Sequence, residues 1–359
     1  MSCRNPSAPR GTMDIPDDYE YDPDYEYSND SYITPHEKPV MQPKAMCLKE
    51  FLCVFLLVVS VVTFLLGFFG NALVIWISGF KMKKTVNTTW YLSLAISDFV
   101  FCTFLPFSIT NMVMEEWLFG SFLCKFTSSI MFVNMFSSVF LLVFISIDRC
   151  ISVMFPVWAQ NQRTVNKAAG VAVLAWILGI ALSIPSMIFR DVRSHLGRTI
   201  CFNNYTLHQD SHKIVAVSRL IVGFVIPFII IIVCYSIIIL KLRTSRMTKS
   251  SKPLKVMSSL VAAFFICWLP YHVFVLLELN HQSYDHGILI SGLKVGASMA
   301  AANSFLNPVL YVFMGNDFKQ KFKSSVLSKM ENAMAEEGRT TSRYLSRSSS
   351  MDGRASTHI

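Results

Sequence analysis

Seven long stretches of the chain carry almost no charge and are each long enough to cross a hydrocarbon core of about 30 Å as a helix. They run from Phe51 to Phe80, Val86 to Met114, Phe126 to Ile147, Ala168 to Phe189, Leu220 to Leu240, Val256 to Leu277 and Val295 to Met314. Inside a bilayer every backbone N–H and C=O must be satisfied internally, so only helices or a closed barrel can span. Barrel strands are shorter and alternate apolar with polar residues, whereas Phe51-Leu-Cys-Val-Phe-Leu-Leu-Val-Val is apolar throughout. The expected fold is therefore an all-α membrane protein, a seven-transmembrane helix bundle. Composition agrees: 53% of the 359 residues are hydrophobic and 15% charged, against about a quarter charged in ordinary soluble domains. The formal net charge of +9 sits in the ends and short connectors, which excludes a nucleic-acid surface and makes charge a guide to topology.

Lys81, Lys83 and Lys84 follow the first block; Arg149, Arg163 and Lys167 follow the third; Lys241, Arg243, Arg246, Lys249, Lys252 and Lys255 follow the fifth. The excess of Lys and Arg places these loops in the cytoplasm. Lys319, Lys321, Lys323 and Lys329 fall on the same side after an odd number of crossings, so the amino terminus is expected outside. It lacks the apolar run of a cleavable leader, and the first helix is expected to serve as the insertion signal. The organisation read from this is a disordered acidic extracellular tail at 1–46, a helix bundle at 47–316, an amphipathic membrane-surface helix at 317–330 and a disordered cytoplasmic tail at 331–359.

The first tail sets Asp14, Asp17, Asp18, Glu20, Asp22, Asp24, Glu26, Asp30 and Glu37 against Arg4, Arg10, Lys38 and Lys44. It is a solvated tail, or, if Tyr19, Tyr21, Tyr25 and Tyr27 are sulfated, an arm that draws in a basic partner. Asn29 and Asn204 are glycosylation acceptors on the outer side, while Asn87-Thr-Thr fits the pattern but faces the cytoplasm. Thr340, Thr341, Ser342, Ser346, Ser348, Ser349 and Ser350 form a hydroxyl cluster that kinases can convert to negative charge. Cys124 and Cys201 both belong to the oxidising side, as a disulfide pinning the outer loop or as two free thiols; Cys3 and Cys47 also lie outside. Asp98, the one charge inside a block, costs about 2.5–3.5 kcal/mol at mid-membrane on insertion scales and needs partners.

Gly70-Asn71 with Val74, Leu94-Ala95-Ile-Ser-Asp98, Asp148-Arg149-Cys150, Trp176, Pro227 with Tyr235, Cys267-Trp268-Leu269-Pro270 and Asn307-Pro308-Val-Leu-Tyr311 occur one set per block. Together they resemble the rhodopsin-like G-protein-coupled receptors from Gly70 to Phe322. The resemblance implies a multi-pass plasma-membrane receptor, not an enzyme. It implies a sodium ion held among Asp98, Asn134, Ser138, Trp268, Asn303 and Asn307, or a hydrogen-bond network in its place. It also implies an activation switch: Asp148 restraining Arg149, packing at Pro227, Val139 and Phe264 beneath Trp268, a hinge at Pro270, and Tyr235, Pro308 and Tyr311 rearranging with them. Cys150 departs from the family's usual tyrosine. Phe318 and Phe322 with their lysines read as the eighth, amphipathic helix on the membrane surface, without the family's palmitoyl cysteine.

Phe80-Lys-Met-Lys-Lys-Thr-Val-Asn, Trp117-Leu-Phe-Gly, Pro156-Val-Trp-Ala-Gln-Asn, Phe189-Arg-Asp, Cys201-Phe-Asn-Asn and Tyr311-Val-Phe-Met-Gly look like the chemoattractant branch, closest to the chemerin receptors. Ala301 excludes a retinal Schiff base, and Met131 stands where amine receptors place an aspartate. Arg219 near the outer end of the fifth block suits a carboxylate, unless it snorkels to headgroups or pairs with Glu278. The resemblance implies a secreted agonist such as the carboxyl-terminal segment of chemerin, its terminal carboxylate set toward Arg219, with Tyr271, Glu278, Phe202 and Lys294 along the path. It further implies an inhibitory G protein, receptor kinases and arrestin as partners. Formyl-peptide receptors are the nearest rival, though their third-helix aspartate is Phe132 here; a carboxylated lipid agonist and a non-signalling scavenger remain alternatives. An intramembrane protease finds no paired aspartates, and a transporter finds no repeat.

Overall fold

The computed structural model describes residues 50–195, 197–205, 209–244 and 252–314, with Gln320. The chain divides after Pro43 into two units, and every described residue belongs to the second, Lys44–Ile359. Nine helices and one hairpin make up the described residues: α1 (Phe51–Trp76), continued by a π turn at Ile77–Lys81, α2 (Val86–Met114), α3 (Gly120–Met154), a short α4 (Pro156–Gln162), α5 (Val165–Phe189), β1 (Arg190–His195), β2 (Arg198–Asn203), α6 (Gln209–Leu220), α7 (Ile226–Thr244), α8 (Lys252–Glu278) and α9 (His286–Met314). A second π turn, Ile221–Val225, joins α6 to α7, so the two cross the membrane as one helix. Seven helices are long and apolar enough to span.

Two of the helices begin on capping residues. Thr85 caps α2 in a reciprocal box with Thr88, and Thr164 caps α5 by accepting from the Lys167 amide, each satisfying donors that a helix start leaves open. Pro156 opens α4 at the position where a missing N–H is harmless. Apolar side chains are arranged inside out relative to a soluble protein: Phe55, Leu66, Ile177, Ile232 and Ile266 face outward, as lipid requires, while Asn71, Asp98, Asn134, Ser137, Ser138, Asn303 and Ser304 are buried. Without a hydrophobic drive between helices, packing depends on close approach at small residues. Gly179 of α5 rests against α3, where an added Cβ would lie 3.0 Å from the Ser137 amide nitrogen. Gly296 of α9 does the same against α8, 2.8 Å from the Tyr271 backbone.

Three features depart from the sequence reading. The third helix starts at Gly120 and ends at Met154 rather than spanning 126–147. The fifth begins at Gln209 and the seventh at His286, well before Leu220 and Val295. The start of α6 is polar through Asp210, His212 and Lys213, and in α9 Lys294 cuts the short run Ile288-Leu289-Ile290 off from the block after it. The loop between α5 and α6 is no simple connector: β1 and β2 pair antiparallel, with Val192 opposite Cys201 and Asp191 opposite Phe202. Cys124 at the start of α3 is disulfide-bonded to Cys201, Cα atoms 5.8 Å apart, and Trp117 donates its amide to Thr199 O at 2.7 Å. The hairpin is thus fixed over one end of the bundle. Cys53 in α1 is also disulfide-bonded, which the sequence reading did not foresee.

Candidate functional site

Beneath the hairpin, α3, α5, α6 and α8 bring together a group of polar and aromatic side chains. Arg219 lies ten residues into the fifth spanning helix from Gln209, which is about three turns below its start. Its Nη2 donates to Ser186 Oγ of α5 at 2.7 Å, and its guanidinium lies 3.7 Å from the centre of the Phe132 ring in α3. Its Nε is buried without a partner. Arginine therefore neither snorkels nor pairs with Glu278. Glu278 instead meets His212, Oε2 to Nε2 at 3.8 Å, and His212 stacks on Tyr205 at 4.7 Å, which in turn packs on Phe189. Among the described residues Arg219 has no carboxylate partner.

Tyr271 contacts Phe132, Trp268 and His272, with ring centres 6.2, 5.9 and 5.7 Å away. His272 is buried with its Nε2 unpartnered. Arg190, at the start of β1, donates Nε to Cys201 Sγ at 3.3 Å and Nη1 to Asn203 Oδ1 at 3.0 Å. Burial pushes the Arg190 guanidinium below its ordinary range, Tyr271 and Tyr205 oppose that shift, Arg219 reinforces it and Glu278 opposes it. Burial likewise raises the Tyr205 phenol, with Arg219 acting against it. Arg190 thus shares one electrostatic neighbourhood with Arg219, Tyr205, Tyr271 and Glu278, although the sequence reading treated it only as part of a motif. Phe202 lies on β2, with Arg193 over its ring at 6.0 Å. Lys294 is exposed on α9 and forms no ion pair among the described residues. A separate cavity of about 490 Å³ opens between α8 and α9, lined by Phe274, Asp285, Ile288, Ser291 and Val295, away from the Arg219 contacts.

At mid-bundle, Asp98 is fully buried and receives Asn134 Nδ2 on Oδ1 at 2.9 Å and Asn307 Nδ2 on Oδ2 at 2.7 Å. Asn134 also reaches Ser97 Oγ at 3.2 Å, and Ser97 hydrogen-bonds Ser137 at 2.7 Å. Asn71 ties α1 to α9 through Ser304 O at 2.8 Å. Ser138 Oγ and Asn303 Oδ1 are buried without partners. A buried carboxylate together with neutral hydroxyl and amide oxygens is the donor chemistry that suits a small hard cation, so the residue types present fit a sodium ion. Of the six expected residues, Asn134 and Asn307 bond Asp98 directly, Ser138 and Asn303 are buried on α3 and α9, and Trp268 packs near Phe264, ring centres 6.0 Å apart, with its Nε1 unpartnered. Asn71 and Ser97 were read only as parts of family motifs, and Ser137 and Ser304 were missed because small polar residues in a long apolar block give no periodic signal.

Val139, Phe264 and Pro227 are buried, and Pro270 and Pro308 lie inside α8 and α9. Tyr311 is buried and stacks against Tyr91 at 4.8 Å, while Tyr235 is half-buried on α7 with its hydroxyl buried. At the end of the bundle opposite the hairpin, Asp148 Oδ2 accepts from Arg149 Nη2 at 2.9 Å. The same carboxylate also holds Arg163, Nε to Oδ1 at 2.7 Å and Nη2 to Oδ2 at 2.9 Å. Asn87 Oδ1 of α2 accepts from both arginines, from Arg163 at 2.6 Å. Asn204 ends the hairpin, its amide bonded to Phe189 O at 2.7 Å. Asn29, the four tail tyrosines, the hydroxyl cluster at Thr340–Ser350 and the surface helix with Phe318 and Phe322 lie outside the described residues.

Residues 70–311 match the family model described as "7 transmembrane receptor (rhodopsin family)". The chain is 44% identical over 302 residues to "Chemerin-like receptor 1" of Homo sapiens, covering 79% of this chain and 81% of that protein. It is 45% identical over 303 residues to the protein of the same name from Rattus norvegicus, covering 79% and 81%. To "N-formyl peptide receptor 3" of Macaca mulatta it is 42% identical over 303 residues, covering 79% and 87%.

Proposed function

The chain belongs to the rhodopsin family of seven-transmembrane receptors, and from that premise we propose that it is a plasma-membrane receptor for a peptide or protein chemoattractant that ends in a free carboxylate. Its hairpin end faces outward and its basic end faces the cytoplasm. The agonist that fits best is the carboxyl-terminal segment of chemerin. One observation carries this reading: Arg219 is held by Ser186 and Phe132 but has no carboxylate partner among the described residues. A partly buried guanidinium is costly without a counter-charge, and its planar fork is matched by a carboxylate. Phe132 and Ser186 fix its direction in advance, so little freedom is lost when the ligand arrives. Arg190 at the hairpin root adds a second positive group near the same space, while Tyr271 and Phe202 supply apolar walls and Glu278 and Lys294 the charged rim.

Ligand entry acts on Tyr271 and Trp268, which touch each other on α8. Below them Phe264 and Val139 repack, and Pro270, lacking a backbone N–H, leaves α8 a point of easy bending. The outward swing of α8 then frees Arg149, with Tyr235 and Tyr311, to receive an inhibitory G protein. Kinase modification of the tail from Thr340 to Ser350 and arrestin capture end the signal. Sodium at Asp98 favours the resting state, because an ion shifts a conformational equilibrium only by binding its states unequally. It would be held by Asp98, Ser138 and Asn303, with Asn134 and Asn307 orienting the carboxylate.

A second reading, a formyl-peptide receptor, has comparable identity behind it. Phe132 speaks against it: an apolar ring lies under the guanidinium where that branch uses an aspartate. The test is inhibition of cyclic AMP accumulation in cells expressing the receptor. Chemerin's carboxyl-terminal peptide is expected to signal, and its carboxyl-amidated form to lose most potency. A silent peptide beside an active formyl peptide would move the receptor to the other branch, and binding without any signal would make it a scavenger.

A further inference from the structure

The cluster at Asp148 contains one carboxylate and two arginines, and they do not share it equally. Arg163 engages it with a two-point fork, Nε to Oδ1 at 2.7 Å and Nη2 to Oδ2 at 2.9 Å, whereas Arg149 makes a single contact from Nη2 at 2.9 Å. Parallel two-point contacts are the stronger and more directional kind. The Nε of Arg149 is buried and unpartnered, and both guanidinium groups lean on the same Asn87 oxygen. The side chains of Asp148 and Arg149 are 14% and 12% exposed, that of Arg163 26%. Arg163 follows directly on α4 as its C-cap, with its amide bonded to Ala159 O, so the loop helix fixes where its fork is presented.

A receptor of this kind must pull Arg149 away from Asp148 to couple, which rests on the signalling reading above. Were Asp148 paired with Arg149 alone, that step would strand a largely buried carboxylate, and separating a buried pair by removing one partner is far costlier than rearranging it. We propose that Arg163 is a positioning residue for coupling: it keeps Asp148 neutralised after Arg149 leaves, so the arginine is restrained weakly and released cheaply. Asp148 is never bare in either state. Asn87 contributes by giving both arginines one neutral acceptor, which holds two like charges side by side at the end of the bundle opposite the hairpin. The short α4 is then part of the coupling apparatus through the single residue it presents, and the departure at Cys150, next to Arg149, leaves this exchange without a tyrosine hydroxyl to share in it.

The experiment reconstitutes full-length receptor in lipid nanodiscs with an inhibitory heterotrimeric G protein. It measures guanine-nucleotide exchange with no agonist and with chemerin's carboxyl-terminal peptide. Arg163→Gln is expected to slow both basal and peptide-driven exchange by about tenfold, as a lost partly buried charge-assisted fork implies. Arg163→Lys, which keeps the charge but not the fork, recovers most of the rate. Combining Arg163→Gln with Asp148→Asn returns the rate to that of Asp148→Asn alone, because no bare carboxylate is left to hold Arg149. Peptide affinity without G protein stays at the wild-type value in each variant that reaches the membrane. Faster basal exchange in Arg163→Gln would make Arg163 a restraint and overturn the proposal, as would an unchanged rate or a loss that persists in the Asp148→Asn background. Should Arg163→Gln fail to fold, Arg163→Lys with and without Asp148→Asn decides the matter by the same epistasis. A wild-type receptor that leaves exchange at the rate of empty nanodiscs overturns the signalling reading and this proposal with it; a responsive wild type beside an equally responsive Arg163→Gln overturns this proposal alone.

Discussion

Replacing Arg219 by glutamine leaves a polar side chain two atoms shorter and removes the charge, the Nη2 contact to Ser186 and the stack on Phe132. The interaction at stake is a charge-assisted hydrogen bond to the ligand's carboxylate, of the class worth about 1.5–3 kcal/mol. That corresponds to a loss of roughly 10- to 150-fold in affinity. The guanidinium is already held at 2.7 Å by Ser186 and at 3.7 Å over Phe132, so the upper half of that range is expected. Arg219→Lys retains charge but not the flat stacked fork, and falls between. The decisive form of the test is a cycle. Displacement of labelled peptide is measured for the free-acid and amidated peptides on wild type and on Arg219→Gln, with surface expression counted by an epitope tag. Amidation is expected to cost wild type about as much as the substitution does, and to cost the variant less than about threefold, because coupled groups are non-additive. Full additivity of the two losses would show that the carboxylate is read elsewhere and refute the placement.

Asp98→Asn removes the carboxylate from the mid-bundle network, and agonist affinity is then expected to be the same in sodium chloride as in choline chloride, whereas wild type is expected to bind more weakly in sodium. Cys201→Ser opens a covalent link of sequence separation 77. It is expected to lower stability by about 4.5 kcal/mol on the loop-entropy estimate, read as a fall in thermal midpoint in detergent together with loss of peptide binding. Gly179→Leu forces a side chain into the Ser137 backbone, 3.0 Å from the ideal Cβ position, and overpacking of this kind costs about 1–3 kcal/mol; Gly179→Ala is expected to shift the midpoint much less.

The seven spans were legible because an uncharged block longer than twenty residues has only one physical solution in lipid. Their outer ends were not. The start of α6 carries Asp210, His212 and Lys213, and in α9 Lys294 separates the short run Ile288-Leu289-Ile290 from the block that follows, so hydropathy announces neither start. The hairpin from Arg190 to Asn203 escaped for a related reason: its strands are short, and what fixes them is the bond from Cys124 to Cys201 and the amide of Trp117, contacts distant in sequence. Within the candidate site Arg219 stood out as a charge beside an apolar run, and Asp98 for the same reason. Ser97 and Ser137 could not, since a serine in a membrane helix usually bonds its own carbonyl four residues back, as Ser183 does. Arg163 was read only as a marker of sidedness. Counting charge in a loop ignores which carboxylate a given guanidinium reaches, and that information exists only once α3 and α4 are placed together.

The π turn at Ile221–Val225 sets a phase for everything above it. The amide of Ile226 reaches back five residues to Ile221 O, so one extra residue is accommodated just before Pro227 without breaking the helix. In an α-helix each residue advances the azimuth by about 100°. Deleting one residue from this turn would therefore swing Arg219, Ser218 and Val215 by that angle, carrying the guanidinium off Phe132 and toward a different neighbour, while α7 and its partners below stayed in register. The lower bundle and the upper part of the same helix are thereby mechanically uncoupled in rotation. A lineage of such receptors could retune which chemical group greets an incoming ligand by a single insertion or deletion, leaving the transmitting machinery beneath untouched.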